Sequence, residues 1–274
     1  MKKSKREKAK YGIIFYIRQG GGETGVEKVR EKVLFALQEV QRAVIGKQEV
    51  TETVMKAFLA GGHVLVEDIP GLGKTTMAIA FSRAIGLQKR RVQFTPDVLP
   101  SDLTGFTIYQ KERNAFVYHP GAVVCNLLLA DEINRASPKT QSALLEVMEE
   151  GQVTVDGKTR KIAPPFLVIA TENPSGSAGT QLLPESQLDR FMVCVKMGYP
   201  TIREEMEILR KNENGRTSDA VQQVMTKEEL EEAQRETAQH RILLNTRARI
   251  SKVKQEEVLQ EILSAVEPPS LKKR

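Results

Sequence analysis

Ten residues, Glu67-Asp68-Ile69-Pro70-Gly71-Leu72-Gly73-Lys74-Thr75-Thr76, constrain this chain more than any other stretch. They follow a short β-rich run, His63 to Glu67, and precede an apolar pattern of helical spacing that starts near Thr75. Gly71 and Gly73 let the backbone turn its N–H groups inward, and the following helix aims its positive end at whatever lies in the loop. A lysine and a threonine at the helix start complete the chemistry of a phosphate cradle: Lys74 reaches the β- and γ-phosphates, and the Thr75 hydroxyl ligates Mg²⁺. The strict eight-residue pattern has glycine where this chain has Asp68, but the core Pro70-Gly71-Leu72-Gly73-Lys74-Thr75 is intact.

Such a loop requires a strand before it and a helix after it, and the rest of the chain follows suit. Helical periodicity runs from Val26 to Val44 and again through Val50, Val54, Phe58 and Leu59. Further strands are expected at Val92–Phe94, Val123–Ala130, Phe166–Thr171 and Met192–Met197. Ser137-Pro138 reads as N-cap and first-turn proline of a helix carrying Leu144, Leu145 and Met148. Val153 to Ile162 reads as a hairpin turning at Asp156-Gly157. Buried strands alternating with helices imply an α/β fold with a mainly parallel sheet covered on both faces. After Tyr199-Pro200 the texture becomes charged and helical, with Glu204–Lys211 as its first helix. The expected organisation is a basic flexible tail over 1–25, a nucleotide-binding core over 26–200 and a helical segment over 201–274.

In a sheet of this kind, sites collect at the carboxyl ends of the strands. Leu127-Leu128-Leu129-Ala130 ends in Asp131-Glu132, adjacent acids that repel unless a cation lies near. Asp131 is expected to hold Mg²⁺ and Glu132 to polarise an attacking water, which favours hydrolysis over transfer to a second substrate. Phe166 to Ala170 ends in Thr171-Glu172-Asn173-Pro174, which puts Asn173, with Thr171 as the alternative, beside the γ-phosphate. Arg190 follows a short helix and faces away from its own phosphate loop, as an arginine that completes a neighbour's site would. Read alone, it is a surface ion pair with Asp189 or Glu185.

Composition narrows the rest. A chain of 274 residues that is 40% hydrophobic and 28% charged suits a folded globular protein. No apolar run approaches the roughly 20 residues of a membrane helix. The net charge of +6 owes much to the two ends, so nucleic acid is not the expected partner. The opening MKKSKREKAK-YGIIFYI imitates an export signal, but Arg18 interrupts it and no small-residue cleavage site follows. A cytoplasmic location is therefore expected, with Cys125 and Cys194 as buried thiols on strands and no disulfide. Three scattered histidines offer no metal-ligand spacing.

The stretches Val44-Ile45-Gly46-Lys47, GGHVLVEDIPGLGKTT, FTPDVLPSDLTG, NLLLADEINRASPKTQSALLEVMEEGQVTVDG, FLVIATENP and LPESQLDRF together resemble the MoxR family of AAA+ ATPases over Val44–Pro200. The resemblance implies a five-stranded αβα core in the order 5-1-4-3-2, a helical lid and a homo-oligomeric, hexameric ring. It implies ATP and Mg²⁺ as ligands, Lys74 and Thr75 as the Walker A pair, and Asp131 and Glu132 as the Walker B pair. Asn173 matches sensor 1, and Arg190 matches the arginine finger. Ile45-Gly46 resembles the segment lining the adenine pocket, and Phe94–Gly105 the approach to an inserted hairpin. Family members act as chaperone-like remodelling or assembly factors, often on partners with a von Willebrand A domain. Two stretches depart from the pattern. Gly121-Ala122-Val123-Val124 replaces the usual Gly-Pro-Ile/Val-Phe, and no Ser-Pro-Arg sensor-2 segment precedes Arg274, so a truncated lid is expected, with Arg247 and Arg249 as candidate substitutes, neither of them preferred. Two alternatives stay open: a nucleotide-binding scaffold with little turnover, and a DNA-remodelling motor.

Overall fold

The computed structural model describes residues 25–67, 71–173, 183–212 and 217–239. Two helices, α1 (Gly25–Ala43) and α2 (Gln48–Leu59), lead into β1 (Val64–Glu67). Then come α3 (Lys74–Ala84), β2 (Lys89–Gln93), the short α4 (Pro100–Thr104), the hairpin β3 (Gly105–Gln110) and β4 (Ala115–Pro120), β5 (Leu127–Asp131) and α5 (Pro138–Glu150). A second hairpin, β6 (Gln152–Val155) and β7 (Lys158–Lys161), precedes β8 (Leu167–Glu172), α6 (Glu185–Leu188) and β9 (Val193–Val195). Two more helices, α7 (Ile202–Asn212) and α8 (Lys227–Gln239), complete the described part.

The central sheet has five parallel strands in the order β2-β5-β8-β1-β9. With the hairpins left out of the count, this is the 5-1-4-3-2 order expected from the sequence. Alternation along each strand builds two separate cores. Val64 and Val66 of β1, Leu127 and Leu129 of β5, and Leu167 and Ile169 of β8 pack with α1, α2, α3 and α8. Phe58 and Phe81 meet edge-on at 5.2 Å in this layer. Leu65, Leu128, Ala130, Val168 and Ala170 point the other way, against Leu144, Leu145 and Met148 of α5. The sheet is thus covered on both faces, as parallel sheets are.

Local chemistry explains several element ends. Ser137 accepts a hydrogen bond from the Thr140 N–H, and Pro138 opens α5. Asp156 and Gly157 both take positive φ, 52° and 70°, the geometry of a tight two-residue hairpin turn. Thr226 and Glu229 cap α8 reciprocally, each side chain accepting from the other's backbone N–H. The inserted hairpin expected after Phe94–Gly105 is β3–β4.

Four readings need correction. The strand expected over Val123–Ala130 begins only at Leu127, because Val123–Asn126 is a turn. Asn126 fixes that turn, its amide oxygen accepting from Gln88 N–H and its amide nitrogen donating to the Pro165 carbonyl. Cys125 is therefore buried in a turn and not on a strand. The second strand is Lys89–Gln93, a charged edge strand whose polar residues hid it from an apolar search. Cys194 is exposed, because the other edge strand, β9, leaves that residue uncovered. No helix among the described residues is long and apolar enough to cross a membrane.

Candidate functional site

The register of the sheet brings its strand tips level. Glu67 of β1 pairs with Glu172 of β8, Val66 with Thr171, and Ala170 with Ala130 of β5, so Asp131 stands beside Thr171. Asp131 and Thr171 continue the alternation of Leu127–Leu129 and Leu167–Ile169 and so lie on the face that carries α3. Asn173 is the next position in that same alternation. Directly behind β1, the chain enters the loop that ends at Gly71-Leu72-Gly73 and starts α3 at Lys74. Gly73 takes φ 89°, a left-handed conformation that suits a residue without Cβ, and caps the helix. Lys74 is buried, while Thr75 and Thr76 are half-buried in the first turn. Asp68, Ile69 and Pro70 lie outside the described residues.

The acids at the end of β5 are held individually. Asp131 is 6% exposed; one of its oxygens accepts from the Thr171 hydroxyl at 3.4 Å and the other from Arg91 Nε at 2.7 Å. Glu132 adopts φ 55°, which is uncommon for a residue with a side chain and is characteristic of functional sites. That geometry is anchored by Thr171, whose hydroxyl also accepts the Glu132 N–H at 2.8 Å. The Glu132 carboxylate pairs with Arg135 at 2.8 Å. One turn on, Asn134, only 1% exposed, donates from Nδ2 to the Asn173 carbonyl at 3.2 Å, and among the described residues its buried Oδ1 has no partner. Thr171, Asn134, Arg91 and Arg135 thus organise the corner; only Thr171 had been considered from sequence.

A cleft of about 840 Å³ opens beside this loop, lined by Gly46, Lys47, Gln48 and Met197 among others. Met197 Cε would stand 3.9 Å from a Cβ on Gly73, so the cleft adjoins the end of the phosphate loop. Gly46 lines this cleft, and Ile45 and Gly46 together line a smaller cleft of about 340 Å³ with Thr201, Arg203 and Glu204. Gly46 has φ 75°, and any Cβ there would collide with the Glu204 carboxylate. Gly46 and Met197 thus line a cleft whose Met197 end approaches Gly73, while Asp131 and Thr171 stand level at the strand tips. Arg190 is elsewhere: it is bound to Glu149 and to the Leu145 carbonyl of α5, not to Asp189 or Glu185.

The hard oxygen donors at this corner, the Asp131 carboxylate and the Thr75 hydroxyl, are of the kind Mg²⁺ takes when phosphates supply the remaining ligands. Among the described residues no group of three or more His, Cys, Asp or Glu converges as a closed metal cage.

On the opposite face of the same tips, Glu67 and Glu172 lie side by side. Burial first, and the charge of Glu67 second, push the Glu172 carboxyl above the ordinary carboxylate value. Glu67 pairs with Lys196 at 3.2 Å. Cys194 is pushed up to about 11 by desolvation and then by its hydrogen bond to Glu67. Nothing in the spacing of the sequence announced this second cluster.

Comparison with known proteins agrees with the geometry. Residues 63–193 match the model of the ATPase family associated with various cellular activities (AAA). The uncharacterised YeaC protein of Bacillus subtilis is 50% identical over 201 residues, which are 73% of this chain and 63% of YeaC. Chaperone MoxR1 of Mycobacterium tuberculosis is 44% identical over 189 residues, 69% of this chain and 50% of that protein. The chain thus spans between half and two thirds of the length of these relatives. A crystal structure of a protein described as a candidate ATPase from Cytophaga hutchinsonii superposes with a TM-score of 0.70 at 29% identity, over 89% of this chain and 97% of that one. Phosphate loop, acid pair, strand order and relatives agree, and the chain belongs to the MoxR-type AAA+ ATPases.

Proposed function

We propose that this chain binds Mg-ATP where α3 meets the tips of β5 and β8, and hydrolyses its terminal phosphoanhydride. On this reading it is a chaperone-like remodelling factor acting on a protein partner. The observation that carries the reading is the level register of Asp131 and Thr171, with Asn173 next in line, on the face of the sheet that holds Lys74 and Thr75.

Lys74 and the backbone N–H groups of the Gly71–Thr76 turn would grip the phosphates, with Asp68, Ile69 and Pro70 completing the loop. Thr75 and Asp131 would hold the magnesium, which when bound offsets the charge of the β- and γ-phosphates. Glu132 would orient and polarise the attacking water, and Asn173 would hold that water in line. Ile45-Gly46 would flank the base. Arg190 would act in a neighbouring copy, which requires its pair with Glu149 to open as ring contacts form. The core over 26–200 would carry the site and the helices over 201–274 would serve as a lid. The name of the Mycobacterium relative supports the chaperone part, and a von Willebrand A domain protein is the proposed class of partner in the cytoplasm.

A second reading, a nucleotide-dependent scaffold with slow turnover, is favoured by one observation: Arg135 occupies the Glu132 carboxylate. One experiment separates the two. The purified chain is sized with and without Mg-ATP while phosphate release is followed, in parallel with Glu132→Gln. A turnover enzyme assembles and releases phosphate, and Glu132→Gln keeps assembly while losing on the order of 10²-fold or more in rate. A scaffold assembles but releases phosphate no faster than the variant does.

A further inference from the structure

We infer that Arg91 is a placeholder cation for Asp131, holding the carboxylate until a magnesium–nucleotide complex displaces it; the inference rests on the Mg-ATP reading of the site. Asp131 is nearly inaccessible, and a carboxylate so buried needs a compensating charge beside it. Thr171 supplies only a hydroxyl, at 3.4 Å. The counter-charge comes from the neighbouring edge strand, where Arg91 Nε donates to Asp131 Oδ2 at 2.7 Å.

The two partners differ in a way that suits exchange. The Asp131 side chain is 8% exposed and the Arg91 side chain 52% exposed. The acid is therefore fixed in the site, while the guanidinium can turn into water at little cost to itself once another cation compensates the carboxylate. Its second anchor is weak, a 3.4 Å hydrogen bond from Nη2 to Gln93 on the same face of β2. The adjacent cations do not share the task. Arg90 points to the other face and donates to the Gly121 carbonyl, while Lys89 lies among Arg83, Arg91 and Asp219. A single positive charge with a wet side chain holds the carboxylate less firmly than a divalent ion tethered by phosphates, so the pair opens when that complex arrives. Arg91 is thus a positioning residue that sets how much magnesium the site requires.

The test is Mg²⁺-dependent binding of a fluorescent ATP analogue to the whole chain, compared among wild type, Arg91→Gln and Arg91→Lys. Because Arg91 is largely exposed, both variants are expected to fold, and circular dichroism checks this. Arg91→Gln should reach half-saturation at an Mg²⁺ concentration roughly 3- to 10-fold below wild type, with Arg91→Lys in between. In excess chelator all three should bind the analogue equally. If Arg91→Gln needs as much Mg²⁺ as wild type, or more, the inference is overturned while the nucleotide site stands. If the wild type binds no nucleotide at saturating Mg²⁺, the site itself is wrong and the inference falls with it.

Discussion

The two faces of the central sheet end in opposite ways at the same strand tips. At the tip of β5, Asp131 on the face bearing α3 and Glu132 just beyond the strand each meet an arginine, and Thr171 bonds to both residues. On the other face, burial first and the neighbouring carboxylate of Glu67 second raise the pKa of Glu172. One set of acids is held by arginine side chains. The other is arranged so that one carboxyl tends to keep its proton. The strands are the same, and what differs is which acids a cation reaches: Asp131 and Glu132 are each paired with an arginine, whereas on the other face Lys196 pairs with Glu67 and Glu172 faces that carboxylate.

The sharpest way to break this contrast is to remove the cation of the first face that no arginine replaces. Lys74→Ala should weaken ATP binding on the order of 10²-fold while leaving the far-ultraviolet spectrum unchanged, as measured by equilibrium titration. Equal affinities would place the phosphates elsewhere. A smaller effect is expected on the second face. Glu172 has a folded-state pKa above its unfolded value, so its contribution to stability is full below the ordinary carboxylate range. That contribution is lost as pH rises through the folded value. Glu172→Gln should accordingly melt a few degrees above wild type at pH 8, and the gain should vanish toward pH 4. Smallest is the thiol effect. Cys194, on an exposed residue but held near 11, should alkylate at pH 8 roughly 10-fold more slowly than a free thiol. Glu67→Gln should speed it, with mass spectrometry distinguishing it from buried Cys125.

Much of this was legible in the sequence because the signals are local. Gly73-Lys74-Thr75, the apolar run into Asp131-Glu132, the Asp156-Gly157 turn and the Ser137-Pro138 cap each lie within a few residues, and each takes its expected conformation where described. The strand order came with the family resemblance and matches the sheet. Contacts between distant segments were not legible. Arg91 reaches Asp131 across 40 positions, and Arg190 finds Glu149 across 41, so adjacent acids looked like its natural partners. The start of β5 was misplaced because Asn126 draws the chain into a turn through bonds to Gln88 and Pro165. Cys194 looked buried because an apolar strand at a sheet edge reads like one at its centre. Arg247 and Arg249, the candidate substitutes for a sensor-2 arginine, lie outside the described residues.

The claim on which the account depends is that the α3 face, and not the opposite one, receives the metal with the nucleotide. Electron paramagnetic resonance of Mn²⁺ titrated into ATP-loaded protein reads this directly. Wild type and Glu172→Gln should sequester the ion alike, and Asp131→Asn should bind it on the order of 10-fold or more weakly. If Asp131→Asn binds like wild type, or Glu172→Gln is the variant that loses the ion, the site has been placed on the wrong face of the sheet.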